Sequence, residues 1–172
     1  MNKGKILLHT CCGPCATASV ERLLGEGWSV DMFFSNSNIN SLDEYRLRLD
    51  AAADVAAHFG VKLIDDGYNH SAWLDSVRGY ESEPEKGGRC AICFGYSFRR
   101  TAAAVSGYDG FTSTLSISPH KNSAVIFKTG TEAGPFIEYD FKKKNGFGRS
   151  IELSKQLGLY RQAYCGCEFS IR

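Results

Sequence analysis

The sequence lacks any long run of uncharged apolar residues, and it contains only four prolines and two methionines. Without about 18 consecutive apolar residues, no membrane-spanning helix is expected. No basic segment followed by an apolar one predicts a signal peptide. The formal net charge is only +1, so the chain as a whole would attract neither nucleic acid nor a membrane. We therefore expect a cytoplasmic protein without a membrane partner, on which any basic surface is local.

Two common signatures of nucleotide and organic cofactor binding are also missing. No Gly-x-Gly-x-x-Gly sequence follows a predicted strand, and no Walker A sequence occurs. Cysteine, by contrast, is abundant, with seven residues in 172. In a reducing compartment this content favours metal binding or thiol redox chemistry over a framework of structural disulfides.

Short apolar segments alternate with helical patterns along the first third of the chain. Residues 6–10, 30–34 and 61–64 are expected to be buried strands, with helices over 15–24 and 42–59 between them. This order predicts an α/β fold with a parallel sheet, right-handed crossovers and helices on both faces. Residues 111–117 are expected to form a fourth strand and residues 136–139 a fifth. We expect residues 1–172 to form a single catalytic domain.

Several local signals set the predicted ends of these elements. Pro14 suits the first position of a helix, and Ser41 with Glu44 three residues later fits a capping box. Gly60 is expected to end the helix that Ser41 begins. Ser118 followed by proline predicts another helix start, and Ser150 the start of the last helix. Residues 79–89 are polar and without periodicity, which is typical of a lid or mobile loop.

The cysteines fall into three groups, at 11, 12 and 15, at 90 and 93, and at 165 and 167. The first group closes a predicted strand and opens a helix, and the second opens a helix after a loop. Ligands of open parallel sheets bind beyond the carboxyl ends of the strands. We therefore expect a metal site at that edge, where Cys11, Cys12, Cys90 and Cys93 would complete either a zinc site or an iron–sulfur cube.

Other chemistry is compatible with the same cysteines. The sequence from Cys12 to Cys15 is also that of a thioredoxin active site, so a thiol-disulfide oxidoreductase is an alternative function. A zinc-binding module is another. The pair Cys165 and Cys167, separated by one glycine, could close to a disulfide or serve as outer ligands of a second metal.

Five segments together resemble the QueH family, and they run from end to end of the chain in the family's order. Two of them are Leu8-His9-Thr10-Cys11-Cys12-Gly13-Pro14 and the segment 160–170, and their double cysteine and Tyr164-Cys165-Gly166-Cys167 are the most specific marks. The others are the sequences Asp-Glu-Tyr-Arg at 43–46, Arg-Cys-Ala-Ile-Cys at 89–93 and Phe-Thr-Ser-Thr-Leu-Ser-Ile-Ser-Pro at 111–119. The resemblance implies a Rossmann-like fold of the HUP or PP-loop type.

The resemblance also implies an activity, epoxyqueuosine reduction, which is the last step of queuosine biosynthesis and is performed on tRNA without cobalamin. It implies a 4Fe-4S cluster on Cys11, Cys12, Cys90 and Cys93, and leaves room for a second iron. Cys165 and Cys167 would be a redox-active pair or neighbour that iron. Some members carry aspartate where this chain has Cys15, so Cys15 is expected either to bind the second metal or to be a small residue facing the helix.

Removing an epoxide oxygen takes two electrons, which no ordinary side chain stores, so a cluster, a dithiol and an external low-potential donor are expected. Candidate proton donors are Tyr164, Asp140 and Glu44. The tRNA partner would present an anticodon loop, which proteins grip by aromatic stacking and phosphate contacts. The chain offers that mixture near its basic loop, and the expected substrate-binding residues are Lys142, Lys143, Lys144, Arg149 and Arg161, with Phe141 and Phe147 among them.

Overall fold

Four parallel strands form the centre of the computed structural model, which describes residues 2–171. The strands lie in the order β3-β2-β1-β4, with β1 paired to β2 and β4 on its two sides. Because all pairings are parallel, the carboxyl ends of the strands share one edge, as predicted. Their bounds are Gly4–His9 for β1, Trp28–Phe34 for β2, Lys62–Asp65 for β3 and Gly110–Ser113 for β4.

Helices cover both faces of the sheet, which confirms the predicted fold class. Side chains alternate across a strand, so Ile6 and Leu8 join one core cluster while Leu7 joins another. The helices are α1 (Gly13–Gly25), α2 (Leu42–Phe59), α3 (His70–Ser76), α4 (Gly88–Ala103), α5 (Ser123–Ala133) and α6 (Gly146–Gln156). The first cluster includes residues of α1 and α2, and the second includes residues of α4 and α5, while α6 packs on α1.

The predicted ends of α2 are confirmed, but the side chain of Glu44 has other partners than the capping box predicts. The Glu44 backbone N–H donates to Ser41 Oγ at 3.2 Å, so Ser41 is the N-cap. Gly60 ends the helix with a φ of 65°, a left-handed conformation that favours glycine. The carboxylate of Glu44, however, pairs with Arg48 and Tyr160.

The chain after β4 differs from the sequence prediction. The strand stops at Ser113, and Thr114–Ile117 form a 3-10 turn in which the Leu115 N–H donates to Ser113 Oγ at 3.1 Å. The alternating polar residues of 111–117 therefore turn the chain at the edge of the sheet. The next helix begins at Ser123 with Asn122 as its N-cap, not at Ser118. Residues 136–139 form only a single bridge, from Phe136 to Phe111, and the last helix begins four residues before Ser150.

Of the expected lid at 79–89, residues 79–87 form a loop, and residues 88 and 89 already belong to α4. The buried guanidinium of Arg89 donates to the carbonyl oxygens of Tyr80, Glu81 and Glu83, which ties the loop to the start of the helix. Whether this loop acts as a lid remains a prediction. Over residues 2–171, no helix combines the length and the apolar character needed to span a bilayer.

Candidate metal and redox site

The site lies where the strand order changes direction. From β1 the chain crosses to β2 and β3 on one side, and β4 later fills the other side. Crevices at such points, beyond the carboxyl ends of the strands, are where open parallel sheets bind ligands. Cys11 and Cys12 follow β1 directly, and Thr114 follows β4. A cavity of about 660 Å³ opens there, with Cys11 and Cys12 in its lining.

The first cysteine group is brought together at the floor of this cavity. The sulfur atoms of Cys11, Cys12 and Cys15 all lie within 4.8 Å of one another. Cys12 is the N-cap of α1, and its sulfur accepts the Cys15 backbone N–H at 3.4 Å. With Pro14 in the first turn, as predicted, the free amides and the positive end of the helix dipole face the thiols. Three sulfurs this close could hold a metal ion.

Thr114 connects the trio to the neighbouring strand. Its hydroxyl accepts the backbone N–H of Cys11 at 3.0 Å and donates to Cys11 Sγ at 3.1 Å. The side chain is fully buried. One hydroxyl therefore orients both the backbone and the sulfur of Cys11, which is the role that outer residues play around metal ligands.

The three thiols do not share negative charge equally. Hydrogen bonds from the side chains of Cys11 and Cys15 hold the pKa of Cys12 well below its usual range. The same contact with Cys12 raises the pKa of Cys11 to about 11, and Cys11 and Cys12 together raise that of Cys15 well above its usual value. The first thiolate therefore forms at Cys12, where the helix dipole is most favourable.

The second cysteine group lies at the start of α4, as predicted, with Cys90 on the first turn and Cys93 on the second. Burial raises the pKa of both Cys90 and Cys93. Cys90 Sγ accepts the backbone N–H of Lys86 at 3.3 Å. Lys86 adopts a φ of 71°, an uncommon conformation for a residue with a side chain, which indicates that the surrounding loop imposes it.

A smaller cavity, of about 90 Å³, is lined by Cys90, Cys93, Cys165 and Cys167. Cys93 and Cys165 also line the larger cavity, so the two spaces adjoin. The structure thus places Cys93 within reach of the larger cavity, whereas Cys90 lines only the smaller one. The predicted ligand set of Cys11, Cys12, Cys90 and Cys93 remains a prediction.

Two buried nitrogen donors lie beside the smaller cavity, on Trp73 and Arg89. Arg89 Nε has no hydrogen-bond partner among the described residues, whereas the Trp73 indole acts on the Cys93 thiol and lowers its pKa against the larger effect of burial. Both side chains line the cavity, and both are almost fully buried. Buried donors are normally satisfied, because an unpaired one costs free energy. An unpaired Arg89 donor and the Trp73 indole beside four thiols are an environment suited to a group with negative character.

The third cysteine group lies in a C-terminal segment that Arg48 holds in place. The Arg48 guanidinium donates to the carbonyl oxygens of Tyr164 at 3.0 Å and Cys165 at 2.6 Å. Cys165 is exposed, whereas Cys167 is buried. The Tyr164 hydroxyl donates to Asn40 Oδ1 at 2.5 Å, and burial raises the pKa of this phenol.

The predicted substrate-binding residues occupy two kinds of environment. Lys142 Nζ donates to Ser116 O at 2.8 Å and to Ser123 Oγ, and Arg149 pairs with Glu21 and Glu152, so both are bound within the protein. Lys143 and Lys144 are exposed. Arg161 and Phe147 line the larger cavity, whereas Phe141 is buried in the core.

The other sequence candidates have structural partners. His9 is buried, with Nδ1 at 2.9 Å from Ser113 Oγ and Nε2 at 3.2 Å from Ser35 O. Asp140 accepts the backbone N–H of Lys142, and Glu44 pairs with Arg48. Of the three candidate proton donors, only Tyr164 lines the larger cavity.

Sequence reasoning missed three residues of the site, Arg48, Thr114 and Lys121. Lys121 lines both cavities. Burial alone would lower the pKa of Lys121, but Cys165 and the thiols of the first cysteine group raise it. The signal that could have found Thr114 and Lys121 is the run of polar residues after β4, since residues following a strand at this edge point at the ligand site.

Comparison with solved structures supports the fold. The chain is similar to a U34-tRNA thiolase, NcsA from Methanococcus maripaludis, solved with its 4Fe-4S cluster. The TM-score is 0.58 at 15% sequence identity, over 100% of this chain and 63% of the thiolase chain. At this identity the similarity supports the α/β fold and nothing finer.

Comparison with known sequences is far more specific. Residues 6–172 match the family described as epoxyqueuosine reductase QueH. A relative of that name from Streptococcus pyogenes is 38% identical over 97% of this chain and 70% of its own length. Those from Haemophilus influenzae and Thermotoga maritima are 38% and 33% identical over 98% of this chain, and over 72% and 91% of their own lengths. The chain whose thiols gather at this sheet edge therefore belongs to the QueH family.

Proposed function

We propose that this protein is an epoxyqueuosine reductase, which converts epoxyqueuosine in tRNA to queuosine at the cysteine-lined edge of the sheet. The observation that carries the proposal is the match to QueH over residues 6–172. The geometry supports it, because a thiol trio lies at the floor of a cavity of about 660 Å³. That volume is in the range of cavities that hold small organic ligands, roughly 300–1,000 Å³.

The reaction requires electrons and protons from outside the substrate. An epoxide plus two electrons and two protons gives an alkene and one water molecule, as both carbon–oxygen bonds break. Side chains cannot supply two electrons repeatedly, so an external low-potential donor must reduce the protein again between turnovers. Since a tRNA substrate is found in the cytoplasm, we place the enzyme there.

The donor set suits an iron–sulfur cluster. Cys11, Cys12, Cys90 and Cys93 would hold a 4Fe-4S cluster, with Cys93 as the residue that lines both cavities. When bound, the cluster would supply electrons at the cavity. Cys15, within 4.8 Å of Cys11 and Cys12, is available to a second iron. The unpaired Arg89 Nε donor and the Trp73 indole at Cys93 would favour a group with negative character beside the thiols. Cobalamin is not required by this arrangement.

The remaining residues would bind the substrate and move protons. Cys165 and Cys167 form the proposed redox-active dithiol, with the exposed Cys165 facing both cavities. Tyr164 is the proposed proton donor, because its hydroxyl is protonated at neutral pH and its side chain lines the cavity. To reach substrate, this hydroxyl would exchange its hydrogen bond to Asn40 for one to the leaving oxygen.

The tRNA would approach the open side of the larger cavity. Phe147 is 37% exposed there, which allows a base to stack on its ring. Arg161 lines the same cavity, and Lys143 and Lys144 are exposed nearby in sequence. We propose that these cations contact phosphates. Lys142 and Arg149, which the sequence placed with them, would instead support the loop through their internal contacts.

Purification under anaerobic conditions, followed by an activity assay, tests the proposal. We expect a brown protein with charge-transfer absorbance that converts epoxyqueuosine in tRNA to queuosine when dithionite is present. Reduction of insulin disulfides without metal would instead identify a thiol-disulfide oxidoreductase. A colourless protein with stoichiometric zinc and no turnover after iron and sulfide loading would identify a zinc-binding module.

A further inference from the structure

The segment that carries Cys165 and Cys167 has no regular secondary structure, so its conformation depends on individual contacts. Residues 159–167 belong to no helix or strand. The Asn40 N–H donates to Gly166 O at 2.9 Å, and the Gly166 N–H donates to Ser170 Oγ at 3.3 Å. Such a segment would ordinarily be mobile. A dithiol that must face a reaction cavity therefore needs specific contacts that fix its backbone.

Arg48 supplies those contacts by hydrogen-bonding to the two peptide groups that flank Cys165. The carbonyl of Tyr164 belongs to the peptide group before the Cys165 Cα, and the carbonyl of Cys165 belongs to the one after it. Arg48 donates to both, at 3.0 and 2.6 Å. With both peptide planes held by one rigid guanidinium, the φ and ψ of Cys165 are fixed, and so is the direction of its Cα–Cβ bond, from which the thiol projects.

Arg48 is itself held rigidly. Its side chain is only 2% exposed, and its Nε donates to Glu44 Oε1 at 2.8 Å. The guanidinium stacks on the Tyr164 ring, 5.2 Å from the ring centroid. The Tyr160 hydroxyl donates to the same Glu44 carboxylate at 2.8 to 2.9 Å. Glu44 and Arg48 lie on α2, so these contacts fix the position of the C-terminal dithiol relative to a helix that packs on the sheet.

We infer that Arg48, oriented by Glu44, is the positioning residue that sets Cys165 at the cavity in its dithiol conformation. The inference rests on the proposed function, since it takes Cys165 and Cys167 to be the redox-active pair. Lysine cannot replace Arg48, because an ammonium group lacks the planar fork that spans two carbonyls and a carboxylate at once. Arg46, on the same helix but exposed, offers a matched control for the same substitution.

The test compares Arg48→Lys with Arg46→Lys in the full-length protein. Hydrogen exchange of the amides of residues 164–167 should become about tenfold faster in Arg48→Lys and stay unchanged in Arg46→Lys. The equilibrium with glutathione, in which the two thiols and one oxidised glutathione give one protein disulfide and two reduced glutathiones, should shift about tenfold toward the protein disulfide. The cause is that the contacts stabilising the dithiol conformation are lost.

Turnover provides an independent readout. In Arg48→Lys we expect kcat for epoxyqueuosine reduction to fall while KM for tRNA is unchanged. Unchanged exchange and an unchanged glutathione equilibrium in Arg48→Lys would overturn the inference, even if the protein were less stable. If the wild type itself shows no turnover, the proposed function fails, while exchange and the glutathione equilibrium still decide the positioning role.

A second variant covers the case in which Arg48→Lys does not fold. Tyr160→Phe removes only the hydroxyl that orients Glu44, and Tyr160 is 36% exposed. We expect changes in the same direction, about threefold in exchange and in the glutathione equilibrium. Tyr80→Phe, at another exposed tyrosine, should leave both unchanged. Equal results for the two variants would contradict the inference.

Discussion

Replacing Thr114 with valine should destabilise the protein, whereas the same replacement at Thr112 should not. Both side chains are fully buried, and they lie two residues apart at the end of β4. Thr114 Oγ1 accepts the Cys11 N–H at 3.0 Å and donates to Cys11 Sγ at 3.1 Å. Thr112 Oγ1 has no hydrogen-bond partner among residues 2–171. Comparison of the two variants therefore separates the contribution of the Thr114 hydrogen bonds to stability from the general effect of replacing a buried threonine with valine.

The expected magnitudes follow from this difference. Valine at 114 leaves the buried Cys11 N–H unpaired, which should lower the free energy of unfolding by about 1–3 kcal/mol. Valine at 112 removes an unsatisfied hydroxyl, so that free energy should be unchanged or higher by about 1 kcal/mol. Urea denaturation of the metal-free, fully reduced proteins, with equal m-values, measures both changes.

The same variants test the link to metal binding. A residue that orients a ligand typically changes metal affinity by roughly 10–100-fold when it is replaced. The Kd for cobalt(II), read from thiolate-to-metal absorbance, should rise by that factor in Thr114→Val and stay constant in Thr112→Val. Equal stability and equal cobalt affinity in the two variants would refute the assignment of Thr114 to Cys11.

Three further predictions concern the surface and the acid stability. Lys142→Met should lower the free energy of unfolding by about 1–3 kcal/mol, because Lys142 donates hydrogen bonds to acceptors within the protein. Lys143→Met should leave stability unchanged, but it should reduce the slope of log K for tRNA binding against log salt concentration by about one. Ser41→Ala should cost about 1 kcal/mol in thermal unfolding, because the N-cap of α2 is lost. Burial opposes ionisation of Glu26, but hydrogen bonds from Tyr139, Arg22 and Lys3 lower the pKa of this carboxyl to about 2. The contribution of Glu26 to the free energy of unfolding should therefore be lost as the pH falls from about 4.5 through 2. Glu26→Gln should flatten that part of the curve of stability against pH.

The first half of the fold could be predicted because its signals are local. Ser41 and Gly60 mark the ends of α2 within a few residues of the contacts they make. The end of β4 could not be predicted in the same way. The alternation of residues 111–117 fits a strand, but Ser113 caps a 3-10 turn and Ser116 bonds the carbonyl of Tyr139, 23 residues away.

The site shows the same division. The trio of Cys11, Cys12 and Cys15 follows from their spacing at a strand-to-helix turn, which is a local property. Arg48 acts on a partner 117 residues away, so no pattern in its own neighbourhood reveals its role. The polar run after β4 points to Thr114, but it does not show that the partner of Thr114 is Cys11, 103 residues away. The basic run after residue 141 suggested four equivalent cations, whereas tertiary contacts pair Lys142 and Arg149 with acceptors of the protein itself.

A single-turnover assay with Cys12→Ala tests most directly that the reduction occurs at the thiol-lined edge of the sheet. Iron-loaded wild type and variant would be mixed anaerobically with dithionite and tRNA that carries epoxyqueuosine, and nucleosides would be quantified by mass spectrometry. We predict that the wild type converts epoxyqueuosine to an equal amount of queuosine and that Cys12→Ala forms none. Full conversion by Cys12→Ala, or none by the wild type, would contradict this account.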